Sequence, residues 1–560
     1  MNRRYHFPMR LPRRTVLLFL GIVLAAVVVY ARALPNQFVD WDDTALITTN
    51  PLVGEFSART IWGAFTSYDP ELYIPLTIVS FSAEHTLFGF QPFFFHLTNL
   101  VLHIVISWLV FLFLRKMGNG EAVAYLCALL FAVHPLNVEA VAWASARKDL
   151  LMAVFALASL LSFVRWKEEG SKKWYWWTFT FLLLSLLSKP TAIAIPFAYL
   201  LLEWLGMRKF RWNLLKEHAP FLGLSVLFLI IGLLGKTRNI ESLTLLQTIL
   251  LSAKSTVLTS FLFFYPRFSL LFLQATPITI RSLEFLLPLS LLLAAAVAVL
   301  WTLRKTRVVA FGVIFALLFL LPSFANFAKT GNVYVTSDRY FYLSQIGFLF
   351  LMGLFLERQW AKRGMVRNVM LALFVVILAG AAWSSSVRSL YWKDSETLFT
   401  KALARNPQSA ECHNNLGYVY DTRGEPDKAI AEYQQALTLK PTFAQAYYNM
   451  GVVLQKQGKI DDALFQYRKA LEINPLYAQP HNNLGAVAMD RGDLDLAISE
   501  FKKAIELSPR LAHVYINLGA AYGKKGAYDL GMQAYRKAMD IDPVFRREIV
   551  KKFPELKNYR

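Results

Sequence analysis

The chain has 560 residues, 56% of them hydrophobic and only 17% charged, with 44 phenylalanines and a formal net charge of +21. A soluble domain does not need that much apolar residue, and long uncharged runs such as TVLLFLGIVLAAVVVY, LVLHIVISWLVFLFL and VMLALFVVILAGAAW point to a protein that crosses a lipid bilayer many times. The positive charge does not point to nucleic acid, because Lys and Arg fall in short clusters between apolar runs, as in cytoplasmic loops.

The first apolar run, 15–30, follows Arg3, Arg4, Arg10, Arg13 and Arg14. With Ala31-Arg32-Ala33 behind it, it has the parts of a signal peptide, but its length favours an uncleaved helix. Either way, the stretch FVDWDDTALITTN, with Asp40, Asp42 and Asp43, is expected outside the cytoplasm. It opens a loop, 34–93, far longer than the other early connections, and long loops tend to carry function. The same loop holds Tyr68-Asp69, Tyr73, Pro75-Leu76 and Glu84-His85.

Eleven spans are expected, starting near Thr15, Phe94, Glu121, Asp149, Trp174, Thr191, His218, Leu283, Val308, Phe341 and Arg367. Basic clusters at 115–116, 165–167, 208–216, 304–307 and 358–367 then all fall on the side of the N-terminus, which is read as cytoplasmic. The segment 243–273 is apolar enough to be a twelfth span. One more crossing would reverse every later basic loop, so a re-entrant or interfacial segment, or a pair of short spans, is expected there.

The second span carries His96, Asn99 and His103 at i, i+3 and i+7, one face of a helix. Polar groups on a membrane helix face line a cavity or the bundle interior; packing by satisfied histidines is the alternative, and a metal site lacks a fourth ligand. The next outer loop, HPLNVEAVAWASARKDLL, brings His134, Glu139, Arg147, Lys148 and Asp149. Lys189 stands at a later outer turn, and Asp338-Arg339-Tyr340 opens the tenth span. Cations on the outer side run against the charge bias. A lipid-linked phosphate at the outer boundary would account for Arg147, Lys148, Lys189 and Arg339. Asp40, His96, Asn99, His103, His134, Glu139, Asp338 and Tyr340 are expected around the same pocket. The two cysteines, Cys127 and Cys412, have no metal-ligand spacing and lie in different regions.

From Tyr391 on, a 34-residue period appears. Pro407, Pro441, Pro475, Pro509 and Pro543 keep it, as do Gly417, Gly451, Gly485 and Gly519 and a second set, Gly424, Gly458, Gly492 and Gly526. This is the tetratricopeptide pattern of paired helices, which stack into a curved solenoid with a binding face. SETLFTKALARNP reads as the second helix of a degenerate fifth unit. Asn415, Asn449, Asn483 and Asn517 keep the same period. They are read either as consensus residues that bond a neighbouring turn, or as a ladder of amides, each donor and acceptor, for the backbone of an extended acceptor polypeptide.

The motifs F-V-D-W-D-D, Y-I-P-L-T, LFGFQPFFFHLTNLVLH, LFAVHPLNVEAVAWASARKDLL and SDRYFYL, followed by the repeats, resemble the transmembrane and tetratricopeptide-repeat-containing (TMTC) family and its bacterial relatives. Ile74 stands where the family pattern usually has Arg before Pro-Leu. The resemblance implies an all-α chain: a polytopic GT-C-type glycosyltransferase domain followed by an α-solenoid. It also implies transfer of a sugar, mannose-like, from a polyprenyl-phosphate carrier to a hydroxyl acceptor.

For that reaction a carboxylate, Asp42 or Asp43, would take the hydroxyl proton as the anomeric carbon is attacked, while cations hold the departing phosphate. A divalent cation, Mg²⁺ or Mn²⁺, on the paired carboxylates is an open alternative. The expected domains are 1–386 for the membrane part, 387–409 for a connector with the half-repeat, 410–545 for four repeats and 546–560 for a cap. The expected setting is a bacterial inner membrane with the repeats outside the cytoplasm. A non-enzymatic scaffold, or a ligase or polymerase of lipid-linked oligosaccharide, stays open.

Overall fold

The computed structural model describes residues 13–68, 72–206, 213–235, 243–266, 272–273, 278–326, 328–329, 332–360, 364–542 and 545–557. Arg3, Arg4, Arg10, Asp69, Arg208 and Pro543 lie outside the described residues. The chain divides into two compact units, 1–394 and 395–560. Both are helical, and the first is a multi-pass membrane unit.

Among the described residues, seven helices of the first unit are long and apolar enough to cross a membrane, or eight with the bent pair Glu121–Val133 and Pro135–Ala142. Shorter apolar helices add to them, among them Pro190–Gly206 and Val308–Phe324. The contacts of the helix ends sort them into two levels. Asn36 bonds Ser389 and Tyr68 bonds Ile231 at the level of the acidic loop. Lys116 pairs with Glu168, Lys167 with Glu203, and Arg307 with the Trp204 carbonyl at the other level. Eleven helices alternate between the two levels in chain order: Arg13–Tyr30, Pro92–Lys116, Glu121–Val133, Arg147–Glu169, Lys172–Ser188, Ile195–Gly206, Asn213–Leu234, Leu283–Leu303, Val308–Leu320, Gln345–Trp360 and Met365–Ser389.

The helix Leu245–Phe264 is apolar enough to be a further crossing, yet its contacts stay at the acidic-loop level. Leu250 and Leu251 pack with Phe285, the third residue of its helix, and with Val335. Lys254 pairs with Glu284, Thr259 faces Thr336, and the Phe263 carbonyl accepts from His134. Of the alternatives expected there, a pair of short spans is replaced by one continuous helix whose contacts stay at one level.

Among the described residues, three short strands interrupt the helical plan, with Asn332–Thr336 antiparallel to both Phe272–Leu273 and Ala328–Lys329. The run NVYVT is β-branched and aromatic, a poor helix former at the end of a span.

In the second unit, Ala410–Thr422 pairs with Pro426–Leu439, Ala444–Lys456 with Ile460–Ile473, Ala478–Asp490 with Leu494–Leu507, and Ala512–Lys524 with Tyr528–Ile541. Ser395–Leu403 packs on the first of these as a lone helix. The 34-residue pattern has a direct physical cause. A Cβ on Gly451 would meet the Tyr467 ring at 2.6 Å, so only glycine lets the helices of a pair cross so closely. Gly458 turns the chain between them at φ +77°, where a side chain is strained.

Candidate active site

The loop after the first span folds on its own carboxylates. Asp43 is 1% exposed and accepts from the backbone N–H of Val39 at 3.0 Å and of Ser145 at 2.9 Å, and from the Ser145 hydroxyl. Burial raises its carboxyl to about 6, even though the Ser145 and Val39 hydrogen bonds pull the other way. Asp40 accepts from Thr44 Oγ1 at 2.7 Å and braces the turn Thr44–Thr48. Beneath them Leu46, Ile47, Val53, Ala64, Ile74, Ile78, Phe81 and Phe95 form one apolar core. Ile74, the departure from the family pattern, is part of that core.

Asp42 points elsewhere. Its side chain is 38% exposed and its Oδ2 stands 3.0 Å from Lys148 Nζ. Lys148 and Arg339 lie over Trp143, at 5.4 Å and 4.8 Å from ring centroids. Arg339 pairs with Glu139, donates to Ser337 Oγ at 3.0 Å and lies 5.0 Å from the Tyr340 ring centre. Burial alone would lower the Arg339 guanidinium, but the charges of Glu139, Tyr340, Asp149 and Asp42 outweigh it and raise it. Lys189 pairs with Asp149 and lies 5.8 Å from the Tyr340 ring centre. Its ammonium is held below its ordinary value by burial, which Asp149 offsets only in part, with Arg339 and Lys148 adding repulsion. Asp338 is buried in the same turn as Arg339. Three cations and their carboxylates therefore converge around Trp143 and Tyr340, with Asp42 as the exposed group.

Five expected site residues have a different role. Arg147 is 1% exposed and fully engaged: Glu84 at 2.6 Å, Asn99 Oδ1 at 3.2 Å and the Phe95 carbonyl at 2.9 Å, between the Phe81 and Phe95 rings. It ties the loop to the second span and offers nothing to a phosphate. Asn99 spends its amide on that same Arg147 and on the Trp143 carbonyl at 2.9 Å. His103 bonds the Ala132 carbonyl at 2.9 Å and Tyr342 at 2.6 Å. A carbonyl only accepts, so Nε2 carries the proton and Nδ1 accepts from the tyrosine. His134 donates likewise to Phe263 at 3.1 Å and accepts from the Leu136 N–H. His96 is buried where the Asn36 and Gln37 backbone faces it. On the polar face of the second span, Asn99 and His103 are held by internal bonds, as a low-dielectric interior favours, whereas both ring nitrogens of buried His96 have no hydrogen-bond partner among the described residues.

The sequence reading missed Trp143 and Ser145, although both stand in the quoted WASARKD motif. Small residues around an aromatic, just before paired cations, are the signal that could have found them.

Among the described residues, no three His, Cys, Asp or Glu side chains are grouped to hold a metal ion. Asp43 is turned inward onto Val39 and Ser145, while Asp42 meets Lys148 through Oδ2. Asn415, Asn449, Asn483 and Asn517 are half-buried along the repeats. Asn449 donates to Asn414 at 3.0 Å and Asn517 to Asn482 at 2.9 Å, so part of the ladder joins neighbouring repeats.

Residues 75–234 match the family described as dolichyl-phosphate-mannose-protein mannosyltransferase, and 398–431, 422–458, 444–477, 488–526 and 512–545 match tetratricopeptide repeats. Human protein O-mannosyl-transferase TMTC4 is 25% identical over 73% of this chain and 64% of its own length. Protein O-mannosyl-transferase F38B6.6 of Caenorhabditis elegans is 26% identical over 74% and 61%. Human TMTC1 is 34% identical over 26% of this chain and 18% of its own. A crystal structure of MamA, 25% identical, covers 30% of this chain and 94% of that one at a TM-score of 0.24. The chain spans less than two thirds of the length of these curated relatives. With residues 75–234 matching a mannosyltransferase family, repeats behind them, and matches over 73% and 74% of its length to two protein O-mannosyl-transferases, one of them TMTC4, the chain is homologous to the TMTC family.

Proposed function

We propose that the chain transfers mannose from a polyprenyl-phosphate carrier to a hydroxyl group of a protein acceptor. The observation that carries this reading is the exposed Asp42 beside Lys148, within a cluster that also holds Arg339 and Lys189, in a chain with a mannosyltransferase domain.

Each of the three cations has a carboxylate of its own. A carrier phosphate competes with Asp42 for Lys148. As Lys148 turns to the phosphate, Asp42 is released to accept a hydrogen bond from the acceptor hydroxyl. That oxygen attacks the anomeric carbon, the bond from that carbon to the phosphate oxygen breaks, and the phosphate leaves with the electron pair. The hydroxyl proton passes to Asp42. Lys148, Arg339 and Lys189 stabilise the charge that appears on the leaving phosphate. Attack opposite the leaving group inverts the anomeric centre. Asp43 holds the loop through Ser145 and does not meet the acceptor. The acidic-loop level faces the outer side of the inner membrane, a reading supported by the basic loops at the other level. The repeats recruit the polypeptide, with Asn415, Asn449, Asn483 and Asn517 toward its backbone.

The test is purified full-length protein with polyprenyl-phosphate mannose and hydroxyl-bearing peptides or exported proteins, read by mass spectrometry. The expected product is a peptide one hexose heavier, with free polyprenyl phosphate. Transfer of a preassembled oligosaccharide instead, or no turnover with any acceptor, would overturn the reading.

A further inference from the structure

Trp143 stands at the centre of the candidate site without being one of its charges. Its side chain is 1% exposed. Besides carrying Lys148 and Arg339, it stacks on Trp392, with ring centroids 5.5 Å apart and planes 21° from parallel. Trp392 is 3% exposed and ends the short turn Leu390–Trp392, two residues before the membrane unit ends at Asp394. The same segment is tied to the acidic loop. Asn36 Nδ2 donates to the Ser389 carbonyl at 2.9 Å, and the Gln37 N–H to the Lys393 carbonyl at 2.8 Å.

Both indole N–H groups are buried, and neither has a hydrogen-bond partner among the described residues. A buried donor left unmade is costly. The pair is therefore oriented by stacking and by the two cations, not by hydrogen bonds. Remove Trp392 and one face of Trp143 loses its wall, so the ring on which Lys148 and Arg339 rest is free to tilt.

We propose that Trp392 is a positioning residue for the transfer site: stacked on Trp143, it fixes the aromatic plate that sets Lys148 and Arg339 for the donor phosphate. The inference rests on the reading of those cations as phosphate-binding. It goes beyond that reading by assigning a role to the last turn of the membrane unit, which is remote in sequence from Trp143 and Lys148.

The experiment compares full-length parent, Trp392→Phe and Trp392→Leu. Polyprenyl-phosphate mannose is the varied donor, and the acceptor concentration is varied separately. Trp392→Leu is expected to raise KM for the donor about tenfold, on the order of one weakened cation–π contact, and to leave KM for the acceptor within about twofold. Trp392→Phe, which keeps a stacking ring, is expected to recover most of the loss. Melting of the three proteins is followed in parallel. An unchanged donor KM in Trp392→Leu, equal losses for donor and acceptor, or a Phe variant no better than Leu would overturn the inference. A parent protein that turns over no polyprenyl-phosphate mannose would instead count against the function proposed above, so the two failures are told apart.

Discussion

Asp42 and Lys148 are ion-paired at 3.0 Å, yet the two partners differ sharply in access: the Asp42 side chain is 38% exposed and Lys148 only 5%. A pair like this is open to exchange from one side. A ligand anion reaches the pair past Asp42, and Lys148 cannot leave for solvent.

The first prediction follows from that asymmetry. Asp42→Asn should lower transfer by about 10²–10⁴, the usual loss of a general base, with insertion and melting unchanged. Asn keeps the size and an acceptor for Lys148 but takes no proton. Donor KM should stay the same or fall, because Lys148 is no longer held by a charge. Kinetics over donor concentration check this. Near-parental turnover would remove Asp42 from the mechanism.

Asp43 should behave differently, and pH separates the two. Its folded carboxyl sits at about 6 against an ordinary value of 3.8, raised by burial. Between those values the folded chain holds the proton and the unfolded chain does not. The stability tied to Asp43 is therefore fully present below about pH 4, is lost as pH rises to about 6, and is flat above. Asn does not titrate. The difference in melting temperature between the parent and Asp43→Asn should shift against the parent as pH rises from 4 to 6. A shift in the opposite direction would mean that the Val39 and Ser145 donors hold the carboxylate ionised.

Arg147 and Lys148 are adjacent in sequence and should part company in mutagenesis. Arg147→Met leaves Glu84 charged in a core where its side chain is 7% exposed. Breaking a buried pair on one side costs about 3–5 kcal/mol. The double variant Arg147→Met with Glu84→Gln should recover much of that. Lys148→Met should melt close to the parent and fail in transfer. Melting and activity of the four proteins check the assignment, and a stable Arg147→Met protein with weakened donor use would return Arg147 to the phosphate.

Which parts were legible follows from what sequence carries. The repeats were legible to the residue, because Gly451 under Tyr467 and Gly458 at φ +77° impose their identities at every turn of the period. The long apolar helices were legible from apolar length: seven of the described ones, or eight with the bent pair, are long and apolar enough to cross a membrane. The course of Leu245–Phe264 was legible only as a choice among a re-entrant, an interfacial and a paired segment, since its apolar face is the same whether it meets lipid or helix ends along the surface. In the candidate site, charge and place singled out Lys148, Lys189 and Arg339, which the fold gathers around Trp143 and Tyr340. Nothing in composition separates Arg147 from Lys148, or Asp43 from Asp42. The separation comes from Glu84, Phe81 and Ser145, which are remote in sequence from at least one partner and meet it only in the fold. For the histidines both readings were open, and His103 and His134 take the packing one: a ring bonded to a carbonyl and a ring facing a cavity look alike in sequence.

The asparagine ladder gives the last prediction. Asn414 donates to Asn415 at 3.2 Å and accepts from Asn449 at 3.0 Å; Asn482 donates to Asn483 at 3.1 Å and accepts from Asn517 at 2.9 Å. Asn483 donates to Tyr467 at 3.1 Å. Asn449 and Asn517 are thus used as donors inside the solenoid, and Asn415 is used there as an acceptor. Substitution by Asp separates the two uses. Asn449→Asp and Asn517→Asp place an anion against the Oδ1 of Asn414 and of Asn482. Each should lower solenoid stability by about 1–3 kcal/mol, the cost of an unmade buried bond. Asn415→Asp keeps the acceptor that Asn414 needs and removes only the donor edge left for a ligand. It should melt like the parent while binding of a peptide backbone weakens by about 0.5–1.5 kcal/mol, roughly three- to tenfold. Melting and peptide binding measured on all three variants decide the matter. If Asn415→Asp binds and modifies acceptors as well as the parent, the ladder only ties the repeats together, and recognition lies on another surface of the solenoid.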